Sequence, residues 1–382
     1  KDYLSYWKIR GSFASVGTAF ERYIANPLFA WNTSIGQWSN LTDFPVYNLK
    51  PERTNSFEVG MNMRFLKNFE LDVTYYNAKT MNQTFNPELP VGEYARIYIQ
   101  TGAVRNQGLE LALNYNNTWK DFTWNTGVTY SMNKNKILTL ADNAINPITR
   151  EKFSISSLNM GGLGSTRFIL KEGGSMGDIY SLMDLKRDAN GAVYIDENNS
   201  VVTESLEANN YIKLGSVLPK GNLAWRNNFS WKNINVAFLV SARLGGVVFS
   251  RTQAVLDNFG VSEASAAARD KGYVSVNGND RVNPEGWYSV VAGGTAVPQY
   301  YIYSATNIRL QEASIGYTIP RKWLGNVCDI KVSLIGRNLW MIYNKAPFDP
   351  ESVASTDNFY QGIDYFMMPS LRNIGFNLSF KF

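Results

Sequence analysis

The chain has 382 residues, 45% of them apolar and 14% aromatic, with a net charge of +5 and no histidine. The missing histidine excludes Ser-His-Asp and Cys-His catalysis, a His-ligated zinc and a histidine general base, and the single cysteine, Cys328, excludes an intrachain disulfide and a cysteine-based metal site. Lys and Arg are scattered among acids, without the clustering of a nucleic-acid binder, and no run approaches the about eighteen uncharged apolar residues of a helical membrane span.

The first run that reads as a strand is Tyr3 to Val16, with Trp7, Ile9 and Phe13 on one face. After a long polar and aromatic stretch, Phe57, Val59, Met61, Met63 and Phe65 alternate with polar residues. A turn at 66–68 leads into Phe69, Leu71, Val73 and Tyr75, and the pair reads as a β-hairpin. Leu109 to Tyr115 and Phe122 to Tyr130 form a second hairpin, Leu223 to Trp231 and Ile234 to Val240 a third. Asn307 to Ile319 changes phase at Gln311-Glu312, as a bulge would, and Ile330, Val332 and Leu334 follow the turn at 320–327. The Ala-rich segment Ser262 to Arg269 reads as a short helix. In the last strand Ile374, Phe376, Leu378, Phe380 and Phe382 alternate with Asn373, Gly375, Asn377, Ser379 and Lys381, up to the final residue.

About ten such runs are joined alternately by short turns and by long loops near 17–53, 82–103, 133–220, 245–306 and 341–369. That rhythm is the one membrane barrels use, with short periplasmic turns and longer external loops. With the carboxyl end periplasmic, every long loop falls outside. The expected fold is therefore all-β, an antiparallel transmembrane β-barrel, with Ile374, Phe376, Leu378, Phe380 and Phe382 as the lipid-facing side of its closing strand. A mean hydropathy of −0.24 suits strands that alternate. The 22 Tyr, 21 Phe and 10 Trp suit aromatic belts at the two interfaces, or else a carbohydrate- or peptide-binding surface. The strand-end pairs Trp119/Phe122 and Trp225/Trp231 read as interfacial anchors. Arg or Lys facing mid-bilayer lipid costs about 2–4 kcal/mol, so Glu58, Arg64, Glu70, Asp72, Glu110, Arg226 and Arg337 are expected to face the lumen. About ten strands close too narrow a barrel for a generous pore. The chain also opens on Lys1-Asp-Tyr-Leu with no initiator Met or secretory leader, so an upstream part is expected.

Pro51-Glu-Arg-Thr-Asn-Ser-Phe-Glu-Val-Gly60, Leu71-Asp-Val-Thr-Tyr-Tyr-Asn-Ala-Lys-Thr80 and Gly102-Ala-Val-Arg-Asn-Gln-Gly-Leu-Glu-Leu111 resemble segments of the SusC/RagA-type TonB-dependent transporters of Bacteroidetes. Ile308 to Pro320, Asn338-Leu-Trp340, Asp349-Pro-Glu351 and Gly362-Ile-Asp-Tyr365 continue the likeness in order. The resemblance implies that residues 1–382 are the carboxyl-terminal portion of a barrel of about 22 strands, without the family's plug domain. It implies an outer-membrane location and import of an oligosaccharide or peptide. The implied partners are a SusD-like lipoprotein lid over the outer loops and, through the missing plug, TonB with its inner-membrane energising complex. Translocation makes and breaks no bond, so neither enzymatic activity nor a cofactor is implied.

Among the loop aromatics, Trp31, Trp38, Tyr360 and Tyr365 are the candidate substrate contacts, by stacking on sugar rings or clasping peptide side chains. Loop-on-loop packing or contact with the lid is the competing explanation for each. Gly161-Gly-Leu-Gly-Ser165 and Gly173-Gly-Ser-Met-Gly177 lack the Lys-Ser/Thr and helix of a phosphate loop. Asp349 and Glu351 fall short of a calcium shell and read as a structural turn. Two other classes compete with transport. An outer-membrane protease is opposed by the lack of histidine, whereas a soluble or surface carbohydrate-binding β-sandwich or adhesin would bury the apolar strand faces in a two-layer core.

Overall fold

The computed structural model describes residues 3–381 apart from 21, 23, 25–28, 30, 40–42, 45–48, 86–95, 146–149, 295, 326 and 357–359. Phe382, expected to end the lipid-facing row, lies outside the described residues. A single 10-stranded sheet carries the architecture, with strands in chain order and every pair antiparallel. Its strands are β1 (Leu4–Thr18), β2 (Glu52–Phe65), β3 (Phe69–Phe85), β4 (Ile99–Trp119), β5 (Phe122–Thr139), β6 (Gly221–Trp231), β7 (Ile234–Leu244), β8 (Asn307–Ile319), β9 (Asp329–Asn344) and β10 (Asn373–Lys381). The expected phase change is present: the ladder of β8 with both neighbours steps over Gln311.

Strands β3, β4, β5 and β9 run farther toward the long-loop end than hydrophobic alternation indicated, so the loops are shorter than read from sequence. The reason is that these extensions are polar. Asn106, Asn133 and Asn135 hydrogen-bond across β4 and β5 where no apolar stripe marks a strand.

The register gives the sheet two unlike faces. Trp7, Met63, Leu71, Leu113, Val128, Trp225, Val240 and Leu310 lie in one row across eight strands, all on the outward face. Below it, at the short-turn end, Trp119, Phe122, Trp231, Ile234 and Tyr317 form another row. That is an aromatic girdle, and Trp119 stacks on Phe122 at 5.9 Å between centroids. Trp225 does not join it; its row lies higher in the apolar band. The outward side chains are exposed or half-buried instead of lining a second sheet: Ile315 and Leu334, inside the sheet, are each 54% exposed. This excludes the two-layer sandwich.

Within the apolar band, Asn227 shows how a polar group is tolerated on the outward face. Asn227 pairs with Thr126 and Phe238 and is only 1% exposed. The Trp124 indole N–H donates to its Oδ1 at 3.0 Å, and the Trp225 indole donates to Thr126 at 3.0 Å. Two indoles thus serve the Asn227 oxygen and the Thr126 hydroxyl, which lipid could not satisfy, while the Asn227 Nδ2 is buried without a partner. Trp124→Phe is expected to cost about 1–3 kcal/mol, read as a lower urea midpoint for the folded protein in bilayers.

At the long-loop end, three loops pack into one lobe. Strand segments Val247–Ser250, Ile302–Ser304 and Ile363–Asp364, from the β7–β8 and β9–β10 loops, share a sheet. Phe168, Ile179 and Leu185 of the β5–β6 loop join Phe249, Val291 and Ile363 in its core. The β7–β8 loop holds helices α1 (Arg251–Asn258), α2 (Glu263–Lys271) and α3 (Pro284–Val291). The helix expected over 262–269 is α2. Ser262 caps its start and Gly272, at φ 84°, closes it in the left-handed conformation that glycine tolerates.

Candidate functional site: the charged inner wall and the loop lobe

The inward parity collects the charges. On β2 and β3, Asn62 faces Asp72 and Gly60 faces Thr74, while Arg10 of β1 faces Gly60. Because Gly60 has no side chain, the Arg10 guanidinium lies across it, and a Cβ there would come within 2.6 Å of the guanidinium. Arg10 thereby crosses a whole strand to make a two-pronged pair with Asp72 at 2.8 and 3.2 Å, and it also donates to Thr74. Glu58, Arg64 with Glu70, and Arg337 with Glu312 extend the inner charges. The expected lumenal acids and bases thus lie on the face opposite the apolar rows.

A recess of about 850 Å³ opens on this wall, lined by Arg10, Asp72, Glu110, Thr129, Arg243 and Glu351 among others. A second glycine explains a motif: a Cβ at Gly108, in Asn106-Gln-Gly-Leu-Glu110, would lie 2.5 Å from the Tyr76 ring. Gly108 gives that ring its place on the inner wall.

Arg309 fastens the last loop. It is 4% exposed and bonds Asp349 at 2.9 Å and Glu351 at 3.2 Å, with Asn307 accepting from its Nε at 3.1 Å. Ser370, just before β10, also donates to Asp349. The Asp349-Pro-Glu351 segment is therefore a structural turn held by a buried cation. Burial alone would raise the Asp349 carboxyl. The hydrogen bonds from Arg309, Ser370 and the Glu351 N–H, with the Arg309 charge, outweigh that and hold it below the usual carboxylate value. A lowered folded-state value means this latch contributes fully above about pH 4 and is lost as pH falls through the lowered value. Pepsin cleavage next to Phe348 is accordingly expected to begin only as the pH drops below about 4, while Asp349→Asn is cleaved at every pH where pepsin works.

In the lobe, the Ser250 hydroxyl caps α1 and donates to the buried Asp364 at 2.6 Å, tying the β7–β8 loop to the β9–β10 loop. The Tyr301 hydroxyl donates to Asp257 at 3.1 Å, and burial next to that carboxylate raises the Tyr301 phenol far above its ordinary value. Tyr303 is pushed up to about 12 by burial and then by Asp257. A cleft of about 520 Å³ between the helices is bordered by Asp257, Arg269, Glu285 and Tyr288.

The four candidate aromatics are dispersed. Trp31 and Trp38 face each other edge-on at 5.3 Å across a small hairpin of the first loop, 51% and 64% exposed. Tyr360 leans on Phe168 of the lobe core at 6.1 Å. Tyr365 meets Phe366 at 5.4 Å on the lobe surface. Among the described residues no ring contact joins the Trp pair to either tyrosine. Arg10, Gly60 and Arg309 were not singled out from sequence, because an Arg or Gly on an alternating strand carries no mark of the partner it reaches across the sheet.

A protein-family model described as "TonB dependent receptor-like, beta-barrel" matches residues 3–236, more than half of the chain. The chain belongs to that family. It is accordingly a TonB-dependent receptor-like barrel of the outer membrane, in a family of receptors and transporters. TonB-dependent receptor P3 of Formosa agariphila is 25% identical over 98% of this chain and 39% of its own length. TonB-dependent receptor P26 of the same organism is 27% identical over 88% and 35%. The present chain thus spans about two-fifths of these relatives. Among solved structures, the RagAB peptide importer in its open-open state superposes over 100% of this chain and 41% of its own, at TM-score 0.73 and 16% identity. That likeness is one of fold.

Proposed function

We propose that this chain is the carboxyl-terminal portion of the barrel, of about 22 strands, of an active outer-membrane importer for a bulky nutrient, an oligosaccharide or a peptide. A SusD-like lipoprotein would cover the long loops, which face outside, and TonB would supply the energy through a plug domain borne by another part of the protein. The substrate is moved and left chemically unchanged.

The observation that carries the reading is the combination of a greasy outer band, a charged inner wall and a consolidated lobe over one end only. A charged wall next to a lobe suits passage of a solvated cargo. The Arg10–Asp72 pair and Glu110 would stand in that passage or against the plug. The exposed Trp31/Trp38 pair suits contact with cargo or lid, and Tyr365 likewise, whereas Tyr360 serves mainly to pack the lobe.

Native purification of the full-length protein from outer membranes, followed by mass spectrometry, tests this. The expected result is co-purification of a lipidated partner together with an amino-terminal barrel portion. Recovery of the chain alone from the soluble fraction would overturn the proposal.

A further inference from the structure

The register sets cations side by side on the outward face at the long-loop end. Lys79 of β3 pairs with Arg105 of β4, and Arg105 pairs with Lys136 of β5, so three positive side chains occupy one row. Lys134 stands in the next row down, opposite Gln107, and the row below that is Tyr75, Leu109 and Met132, where the apolar band begins. Strands lie about 4.8 Å apart and successive same-face rows about 6.8 Å apart, so all four charges fall within the span of one lipid headgroup.

Their direction is fixed by what occupies the other face. Val104 and Ile137, the alternate residues, are buried in the packing of the β5–β6 loop, and Asn106 accepts from Asn133 and Asn135 on that same inner side. Lys79 and Lys134 are exposed and Arg105 and Lys136 half-buried. Like charges directly opposite one another across strands destabilise a sheet. Among the described residues none of the four enters an ion pair, and the Arg105 Nε is buried without a partner. The compensating anion therefore has to come from the surroundings, and at this height, just above the greasy band, the surroundings are headgroups.

We propose that Lys79, Arg105, Lys134 and Lys136 form a docking site for a phosphate-bearing glycolipid headgroup of the outer leaflet, with its acyl chains lying along Tyr75, Leu109 and Met132. Arg105 presents a fork suited to phosphate oxygens, and the lysines act as point charges around it. The inference rests on the orientation proposed above, with the long loops outside.

The test uses the full-length protein purified in detergent and native mass spectrometry with added lipid A. The wild type is expected to retain lipid A at least about tenfold better than the Lys79→Gln/Arg105→Gln/Lys136→Gln variant, as several interfacial cations together should. Lys186→Gln, a change in the lobe, should retain it as the wild type does. Dephosphorylated lipid A should bind wild type and variant alike, and inorganic phosphate at millimolar concentration should not displace the lipid. Equal retention by wild type and triple variant, or displacement by inorganic phosphate, would overturn the site. Preference for phosphatidylglycerol over lipid A would overturn the assignment to the outer leaflet, and with it the orientation, while leaving family membership untouched. The single variants Lys79→Gln and Lys136→Gln, checked for folding by heat-modifiable gel mobility, keep the test decisive should the triple variant not fold.

Discussion

Leu113→Arg is expected to destabilise the folded barrel by about 2–4 kcal/mol, and Ala112→Arg, one residue away, by little or nothing. Leu113 lies in the central outward row between Leu71 and Val128, where a guanidinium would meet hydrocarbon. Ala112 lies on the inner wall beside Asp72, its partner across β3, and near Glu110, where a new cation finds carboxylates and water. Urea titration of the full-length protein in bilayers, followed by heat-modifiable mobility, reads the difference. Equal losses for the two variants would mean that the two faces of the sheet are not solvated differently, and the two-faced barrel would fail with them.

Arg309→Gln is expected to have the largest local effect. Removing one partner of a buried pair leaves the other carboxylate without a counter-charge, which typically costs about 3–5 kcal/mol. Here Asp349 is 8% exposed and would be abandoned together with the partly exposed Glu351. The expected outcome is release of residues 345–372 from β8, seen as fast amide exchange at Ala346, Glu351 and Ser352, with β2 to β5 unaffected. Arg309→Gln/Asp349→Asn should recover much of the loss, because it removes the orphaned charge as well.

The strand system was legible because a lipid-facing surface must be apolar at every second residue, and that demand is written locally in the chain. The bulge at Gln311 showed for the same reason, since a slipped phase exposes itself in the alternation. Beyond the apolar band the demand lapses, and the polar ends of β3, β4, β5 and β9 carry no local mark that separates them from loop. Helices α1 and α3 are short. Their signals, Ser250 as a cap for α1 and Asn283-Pro284 as cap and first residue for α3, were present in a stretch otherwise read as loop. The inner ion pairs were readable as to face but not as to partner. That Arg10 spans Gly60 to reach Asp72 depends on the alignment of three strands, and the shared core of the three loops depends on contacts between segments more than a hundred residues apart, such as Ser250 with Asp364.

With the long loops outside, as proposed above, the common core of the lobe also bears on how this protein would look to an immune system or a phage. Phe168, Phe249 and Ile363 come from three separate stretches of chain, so the exterior they support is a mosaic. Antibodies raised against the native surface should recognise discontinuous epitopes, and a synthetic peptide copied from any one stretch should neither bind them well nor elicit them.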